Sequence, residues 1–350
     1  MTKYYRARDR QIEIGKLSTG PKNRITDIDG VTVGHVTIQE DSINTGVTAI
    51  VPHQGNLFKE KVVAASHVLN GFGKTIGTVQ INELGTLETP ILLTNTLSVG
   101  NCSTGLIKYM LQDNPEIGRT TGTINPVVAE CNDMYLNDIR QMVINDNHVF
   151  EAIKNAKVDF DEGAVGAGTG MRCFGLKGGI GSASRVIEIE GDTYTFGVLV
   201  LSNFGHLDDF ILDGKKVGKP LTKMQQKQTS EKDKGSIIII VGTDMPMTGR
   251  QLQRVIKRCG VGLSRTGSKM GHGSGDLVIG FSTAQTIAHQ PQKKKQSLEF
   301  YYEEELDKAF HAVSESTEEA ILNSMLTAHT TSGREGRTLF SLSEYIDFLI

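Results

Sequence analysis

The chain has 350 residues, enough to bury a large core as one α/β unit or as two ordinary domains. Its 37 Lys and Arg against 40 Asp and Glu leave a formal charge of -3, too even a balance to draw in nucleic acid or an anionic bilayer by long-range electrostatics. The start, MTKYYRARDRQIEIGKL, is charged throughout, and no run approaches the roughly 20 apolar residues of a membrane span, so a cytoplasmic protein is expected. Cys102, Cys131, Cys173 and Cys259 form no CxxC pair, which suggests neither a zinc cage nor a disulfide framework; they read as reduced, mostly buried thiols. Glycine is in excess, 39 residues or about 11% against a usual 7%, so many close backbone approaches or positive-φ turns are expected.

In chain order, residues 1–25 read as an arm, and ITDIDGVTVGHVTI then alternates apolar and polar residues as a half-buried strand does. Val47–Pro52, Pro90–Thr94 and Tyr194–Ser202 are further strand-like stretches. Asn95–Gly100 and the glycine block Gly168–Arg185 read as tight turns and close strand contacts. Asp213–Gly235, ending in KMQQKQTSEKDKG, and His289–Ser297, with three consecutive lysines, read as solvated loops. Ile237–Val241 suits a central strand covered on both faces. Thr248 caps a helix with Leu252, Val255, Ile256 and Cys259 on one face, stopped by Gly260. Leu306, Phe310, Val313, Ala320, Ile321 and Met325 mark a second helix near the C-terminus. Sheet and helix are mixed without a strict βαβ rhythm, which points to a layered α/β or α+β architecture.

Several catalytic signatures fail. GAGTGM (166–171) lacks the G-x-G-x-x-G spacing of a dinucleotide turn. Gly170 to Lys177 imitates a phosphate loop, but the lysine comes two residues after Gly175 and a glycine follows it. There is no G-x-S-x-G elbow and no HExxH helix, and His206, Asp208 and Asp209 read as solvated loop residues rather than metal ligands. What remains is Gly271-His272-Gly273-Ser274-Gly275-Asp276, leading into Leu277-Val278-Ile279-Gly280-Phe281. A serine framed by glycines at the start of a buried strand has little bulk around it, so its Oγ can reach the preceding carbonyl carbon. An N-to-O acyl shift and hydrolysis then free Ser274 as a new N-terminus, whose α-amine (pKa about 7.7–8) can act as base for its own hydroxyl. A plain Gly-Ser turn before a strand is the competing reading.

The blocks ITDIDGVTVGH, NTGVTAIVP, LNGFGKTIGTVQINELGTLETPILLTNTLSVG, PVVAECNDMYLND, EGAVGAGTGMRCFGLKGGIGSASR, GVLVLSNFG, GLSRTGSKMGHGSGDLVIGFSTA and ESTEEAILNS occur in order along most of the chain. Together they resemble the family of L-aminopeptidase/D-amidase-esterases and β-peptidyl aminopeptidases, serine peptidases that process themselves at a Gly–Ser bond. The resemblance implies a four-layer α/β/β/α sandwich of the N-terminal-nucleophile-hydrolase kind over 1–350, cut into 1–273 and 274–350. It makes Ser274 the nucleophile and Gly273–Ser274 the cleavage site. It assigns Ser316 and Glu318 to orienting the nucleophile and its amine, Asn203 to the oxyanion and Glu130 to the substrate ammonium. Ser316-x-x-Glu319 is also a capping box, so Ser316 can equally be the start of the last helix. The family pattern has a tyrosine two residues after the glutamate, where this chain has Asn132; Tyr135 is the nearest substitute, and which of the two completes the pocket stays open.

The implied activity releases N-terminal L-, D- or β-aminoacyl residues from small peptides, amides or esters, with no cofactor and no metal. The resemblance further implies a homo-oligomer, a tetramer. Two competing readings are a self-processing acyltransferase related to ornithine acetyltransferase, whose nucleophile is a threonine, and a catalytically silent binding protein of the same fold.

Overall fold

The computed structural model describes residues 5–224 and 235–349. In chain order the main strands are β1 (Thr32–Glu40), β2 (Ile43–Val51), β3 (Glu60–Gly71), β4 (Thr86–Leu87), β5 (Ile91–Asn95), β6 (Val127–Cys131), β7 (Gly179–Ile189), β8 (Asp192–Asn203), β9 (Ser236–Thr243) and β10 (Gly275–Ala288). The helices are α1 (Thr78–Leu84), α2 (Val99–Asp113), α3 (Asp146–Lys154), α4 (Gly218–Met224), α5 (Gly249–Ile256), α6 (Cys259–Arg265) and α7 (Leu306–Leu326). One sheet has the order β1-β2-β5-β6 and the other β4-β3-β10-β9-β8-β7. Within them β5 with β6 and β9 with β10 run parallel, and the remaining neighbours are antiparallel.

The isoleucine run of β9 explains the layering. Ile238 and Ile240 point between the sheets, where they meet Leu199, Leu201, Ile279 and Phe281 of their own sheet and Ile91, Leu93 and Ala129 of the other. Ile237, Ile239 and Val241 point the opposite way, onto Leu252, Val255, Leu263, Val313 and Ile321 of α5, α6 and α7. A strand alternates its side chains, so one covered on both faces must be apolar at every position. The outer face of the smaller sheet is covered in turn by α2 and α3 through Leu106, Met110, Val149 and Ala152. The result is the α/β/β/α sandwich. No helix of the described residues is long and apolar enough to cross a membrane.

Several local expectations change. Residues 5–24 are no loose arm: Ala7, Ile12 and Ile14 are buried, and the backbone N–H groups of Lys16 and Leu17 donate to Glu315 of α7 at 2.9 and 3.1 Å. Glu315 and Glu319 bracket the fully buried Arg185, at 2.9 and 2.6 Å, and Ile14 O accepts from the same guanidinium at 2.6 Å. A buried charge cluster needs such partners, and the N-terminal segment supplies them. Thr248 does cap α5, in a reciprocal box with Gln251. Gly260, however, lies inside α6 instead of ending a helix. Its neighbour Gly262 shows why glycines occur there: a Cβ would stand 2.3 Å from Ser314 O, so α6 packs on α7 only without one. Asn95 accepts from Ser98 N–H and starts a helical stretch rather than a tight turn. The expected loop at Asp213–Gly235 contains the end of a small hairpin (Ile211–Leu212 with Lys215–Lys216) and α4; its remainder, 225–234, lies outside the described residues.

Candidate active site

Four strand ends converge at one edge of the larger sheet. Parallel β9 and β10 begin there, with Ser236 opposite Gly275. Antiparallel β8 ends with Asn203 opposite Ser236, and antiparallel β3 ends with Gly71 opposite Gly275. From the facing sheet, β5 and β6 end at the same place, and Cys131 Sγ reaches Leu201 O at 3.5 Å between the two sheets.

Ser274 closes a turn that precedes β10. Its N–H donates to Gly271 O at 2.9 Å, and its carbonyl accepts from Phe72 N–H at 3.2 Å and from the Asn70 amide. The next residue must be glycine, since a Cβ on Gly275 would meet Phe72 O at 2.8 Å and Gly73 at 3.0 Å. Ser274 is 1% exposed, and its Oγ donates to Asp276 Oδ1 at 2.5 Å. Gly271, His272 and Gly273 form part of the wall of a cleft of about 1340 Å³, together with Phe72, Asn132, Met134, Tyr135, Arg172 and Asn203.

Asn203 stands at the end of β8 with its side chain fixed at both ends. Nδ2 donates to Asn132 O at 3.0 Å, and Oδ1 accepts from Arg172 N–H at 2.8 Å. An amide NH₂ has two N–H groups, so the bond to Asn132 engages one of them. Glu130 is 3% exposed and accepts from Lys74 N–H at 3.0 Å and from the Thr96 hydroxyl. It lies beside Gly73, where a Cβ would be 3.7 Å from Glu130 Oε1 and 3.8 Å from Gly275 Cα, so the carboxylate and the Ser274–Gly275 segment are near neighbours. Burial first, then the Glu130 and Asp276 carboxylates, push the Cys131 thiol well above its ordinary value and leave it a neutral filler.

Asn132 is a turn residue whose Oδ1 accepts from Met134 N–H at 3.0 Å. Tyr135 lines the same cleft, with the guanidinium groups of Arg172 and Arg337 at 4.6 and 5.3 Å from its ring centre. Lys177, the lysine of the imitation phosphate loop, is fully buried and donates to the carbonyls of Gly168, Met171 and Gly178 at 2.9, 3.0 and 2.7 Å. Burial pushes it down to about 7, yet three carbonyls use all three N–H groups of an ammonium. It braces the backbone next to Arg172 and hence Asn203. Among the described residues no group of three His, Cys, Asp or Glu is arranged to hold a metal ion.

Two assigned residues are elsewhere. Ser316 is in the middle of α7, not at a helix start, and its Oγ donates to Phe196 O at 3.4 Å. Phe196 is in register with Thr243 and, through it, Ser282, seven residues along β10 from Gly275, roughly 23 Å at about 3.3 Å per residue. Glu318 faces α6, 3.6 Å from Arg265, and burial raises its carboxyl. Neither touches Ser274. Asp276, by contrast, had no role in the sequence reading, although residues i and i+2 of a strand share a face and Ser274 and Asp276 have that spacing.

Two central sheets between helical layers, with a serine at the head of a central strand and a cleft at the strand ends, define a hydrolase of the N-terminal-nucleophile fold. The chain belongs to peptidase family S58, whose family model matches residues 23–339. It is 36% identical over 342 residues, 91% of this chain and 85% of the relative, to the beta-peptidyl aminopeptidase BapA of Sphingosinicella microcystinivorans. Its structure matches that of a Pyrococcus horikoshii protein with a TM-score of 0.94 at 48% identity, covering 99% of this chain and 98% of the other. It matches the L-aminopeptidase D-Ala-esterase/amidase of Ochrobactrum anthropi with a TM-score of 0.90 at 33% identity, covering 98% of each chain; that protein is described as a prototype for the serine aminopeptidases and a variant of the N-terminal-nucleophile hydrolase fold. The chain is accordingly a serine aminopeptidase by family and by fold.

Proposed function

We propose that the chain cuts itself between Gly273 and Ser274, giving 1–273 and 274–350, and that the freed Ser274 is the nucleophile of the mature enzyme. The observation that carries this reading is the meeting of Ser274, Asn203 and Glu130 at one set of strand ends beside one cleft. In the mature site the α-amine of Ser274 takes the Oγ proton as Oγ attacks the substrate carbonyl, and returns it to the departing amine or alcohol; water then releases the acyl group. The Asn203 amide donates its second N–H to the tetrahedral oxygen. Glu130 pairs with the substrate ammonium, which restricts the enzyme to free N-termini. Tyr135, stacked with Arg172 and Arg337, and the Asn132 turn form the wall against which the rest of the substrate lies. Ser316 and Glu318 enter only by fixing α7.

The substrates are small peptides, amides or esters, and the names of the relatives place β-aminoacyl peptides and D-alanyl esters among those to try first. The working form is a cytoplasmic homo-oligomer, a tetramer. Exposed Val79 and Leu84, 84% and 61% accessible, offer apolar surface for assembly, and four free cysteines suit a reducing compartment. The test is the intact mass of purified protein: wild type is expected as two associated fragments, 1–273 and 274–350, and Ser274→Ala as one whole chain. Cleavage at another bond, or cleavage that persists in the alanine variant, refutes the reading.

A further inference from the structure

A run of bonds orders the cleft around Asn203. Glu130 lies two residues before Asn132, Asn132 O accepts from Asn203 Nδ2 at 3.0 Å, and Asn203 Oδ1 accepts from Arg172 N–H at 2.8 Å. Asn203 therefore stands between a buried carboxylate and an arginine. Arg172 is held in two further ways: its backbone pairs with Lys177 in a two-residue ladder, and its guanidinium lies on Tyr135, 4.6 Å from the ring centre. Arg337 covers the same ring at 5.3 Å, and its Nη1 reaches Tyr135 O at 3.5 Å. Arg337 also pairs with Glu335, 51% exposed, an ion pair at the surface where such pairs contribute little. The described residues that line the cleft include these two arginines and no aspartate or glutamate. A guanidinium lying on a ring keeps its N–H edge in the plane. With five N–H donors it can hold an existing partner and still grip both oxygens of a carboxylate.

We propose that Arg172 and Arg337 bind the C-terminal carboxylate of the leaving residue, which makes dipeptides with a free C-terminus the preferred peptide substrates. In the site proposed above, on which this assignment depends, Glu130 reads the substrate ammonium and Asn203 the oxyanion. A dipeptide carries its ammonium and its carboxylate on opposite sides of its one peptide carbonyl. The order Glu130, Asn203, Arg172 matches that succession of cation, carbonyl and anion. Two α-residues span at most about 7 Å, so both ends must be read close to Asn203, and the bonded run from Glu130 to Arg172 keeps the two readers there. A third residue carries the carboxylate about 3.5 Å further out and sets a neutral peptide group against the arginines. A C-terminal amide has no charge at this place and forgoes the contact. The preference acts on the leaving group and is separate from the recognition of the free amine by Glu130.

The test compares kcat/KM of the mature enzyme on three peptides that share one aminoacyl group: aminoacyl-alanine, its C-terminal amide, and aminoacyl-alanyl-alanine. Wild type is expected to favour the free dipeptide about 10-fold over each of the others, the low end for a charge-assisted contact because both arginines are part-exposed. Alaninamide is the better leaving group, so intrinsic chemistry works against the expected preference. In Arg172→Gln and in Arg337→Gln the acid-to-amide ratio is expected to fall to about 1 or below, whereas Arg172→Lys keeps the charge, loses the fork and retains part of the preference. The ratio is taken within each protein, so a general loss of activity cancels. Aminoacyl-aspartyl amide moves the carboxylate from the C-terminus to the side chain; if it matches aminoacyl-alanine, the arginines read side chains and the dipeptide preference is overturned. Equal rates on acid and amide in wild type overturn the proposal without any variant. So does a preference that persists in both glutamine variants, which assigns the carboxylate to another lining group such as His206 or His272. A mature enzyme that turns over none of these peptides, nor an aminoacyl anilide, refutes the site itself; turnover that ignores the carboxylate refutes only the role of the arginines.

Discussion

Replacing Glu130 by glutamine isolates the contact proposed to make this enzyme an exopeptidase. The structure indicates that the change is mild for the fold. The carboxylate accepts one bond from Lys74 N–H and one from Thr96 Oγ; a glutamine places Oε1 toward Lys74, and the Thr96 hydroxyl rotates to accept from Nε2. What is lost is the negative charge, 3% exposed and beside the Ser274–Gly275 segment. A charge-assisted contact to a desolvated ammonium contributes about 1.5–3 kcal/mol, so kcat/KM for a free aminoacyl p-nitroanilide is expected to fall about 10–150-fold. The control is the N-acetylated substrate, which wild type is expected to refuse. Acetylation adds bulk as well as removing charge, so the informative quantity is the ratio of free to acetylated turnover, measured in wild type and in Glu130→Gln after both have matured. That ratio is expected to fall in the variant. If it stays at the wild-type value, another group reads the amine and Glu130 is a structural carboxylate holding Lys74 and Thr96.

Asn203→Ala, compared as fully cut protein, is expected to lower kcat by roughly 10²–10³-fold, the loss typical of one oxyanion donor; near wild-type kcat removes Asn203 from the site. Acid stability offers a test away from the cleft. Burial pushes His35 down from 6.5 to about 4, against the opposing pull of its hydrogen bond with Asp161 O, while its other ring nitrogen bonds to the Thr48 hydroxyl. A lowered base refuses in the folded state a proton that the unfolded chain takes, so its stability contribution is complete above about pH 6.5 and is lost as pH falls toward 4, by at most about 3 kcal/mol. Urea melts at pH 7 and pH 4.5 are expected to differ less in His35→Gln than in wild type, and an unchanged difference assigns the acid sensitivity to other groups.

The sequence was most legible where one residue's surroundings are local. The run Ile237–Val241 could only be a strand covered twice, and the apolar spacing after Leu306 could only be a buried helix. It was least legible where a residue's partner is distant along the chain. Residues 5–24 looked like an arm because nothing in MTKYYRARDRQIEIGKL reveals that Glu315 and Arg185 need its backbone. Gly260 looked like a stop because helix termination and helix-to-helix contact use the same residue. Ser316 looked like a cap because S-x-x-E occurs at helix starts, but the apolar stripe that begins ten residues earlier makes it an interior position.

The same distinction separates the site residues. Asn203, Glu130 and Ser274 are each adjacent to a strand end, and a strand end is visible as the place where alternation stops. Pairing then brings those ends together without further information from the residues themselves: Asn203 reaches Ser236, and Ser236 reaches Gly275, by register alone. Ser316 and Glu318 lie within a long helix whose placement is set by its whole buried face, so a motif match conveys their identity but not their position. A functional residue on a helix interior must be located by packing, whereas one at a strand terminus is located by hydrogen-bond register. Asp276 belongs to the second kind. It lies two residues after Ser274 at the start of β10, a spacing that puts both side chains on one face, and the Ser274 hydroxyl donates to its Oδ1 at 2.5 Å.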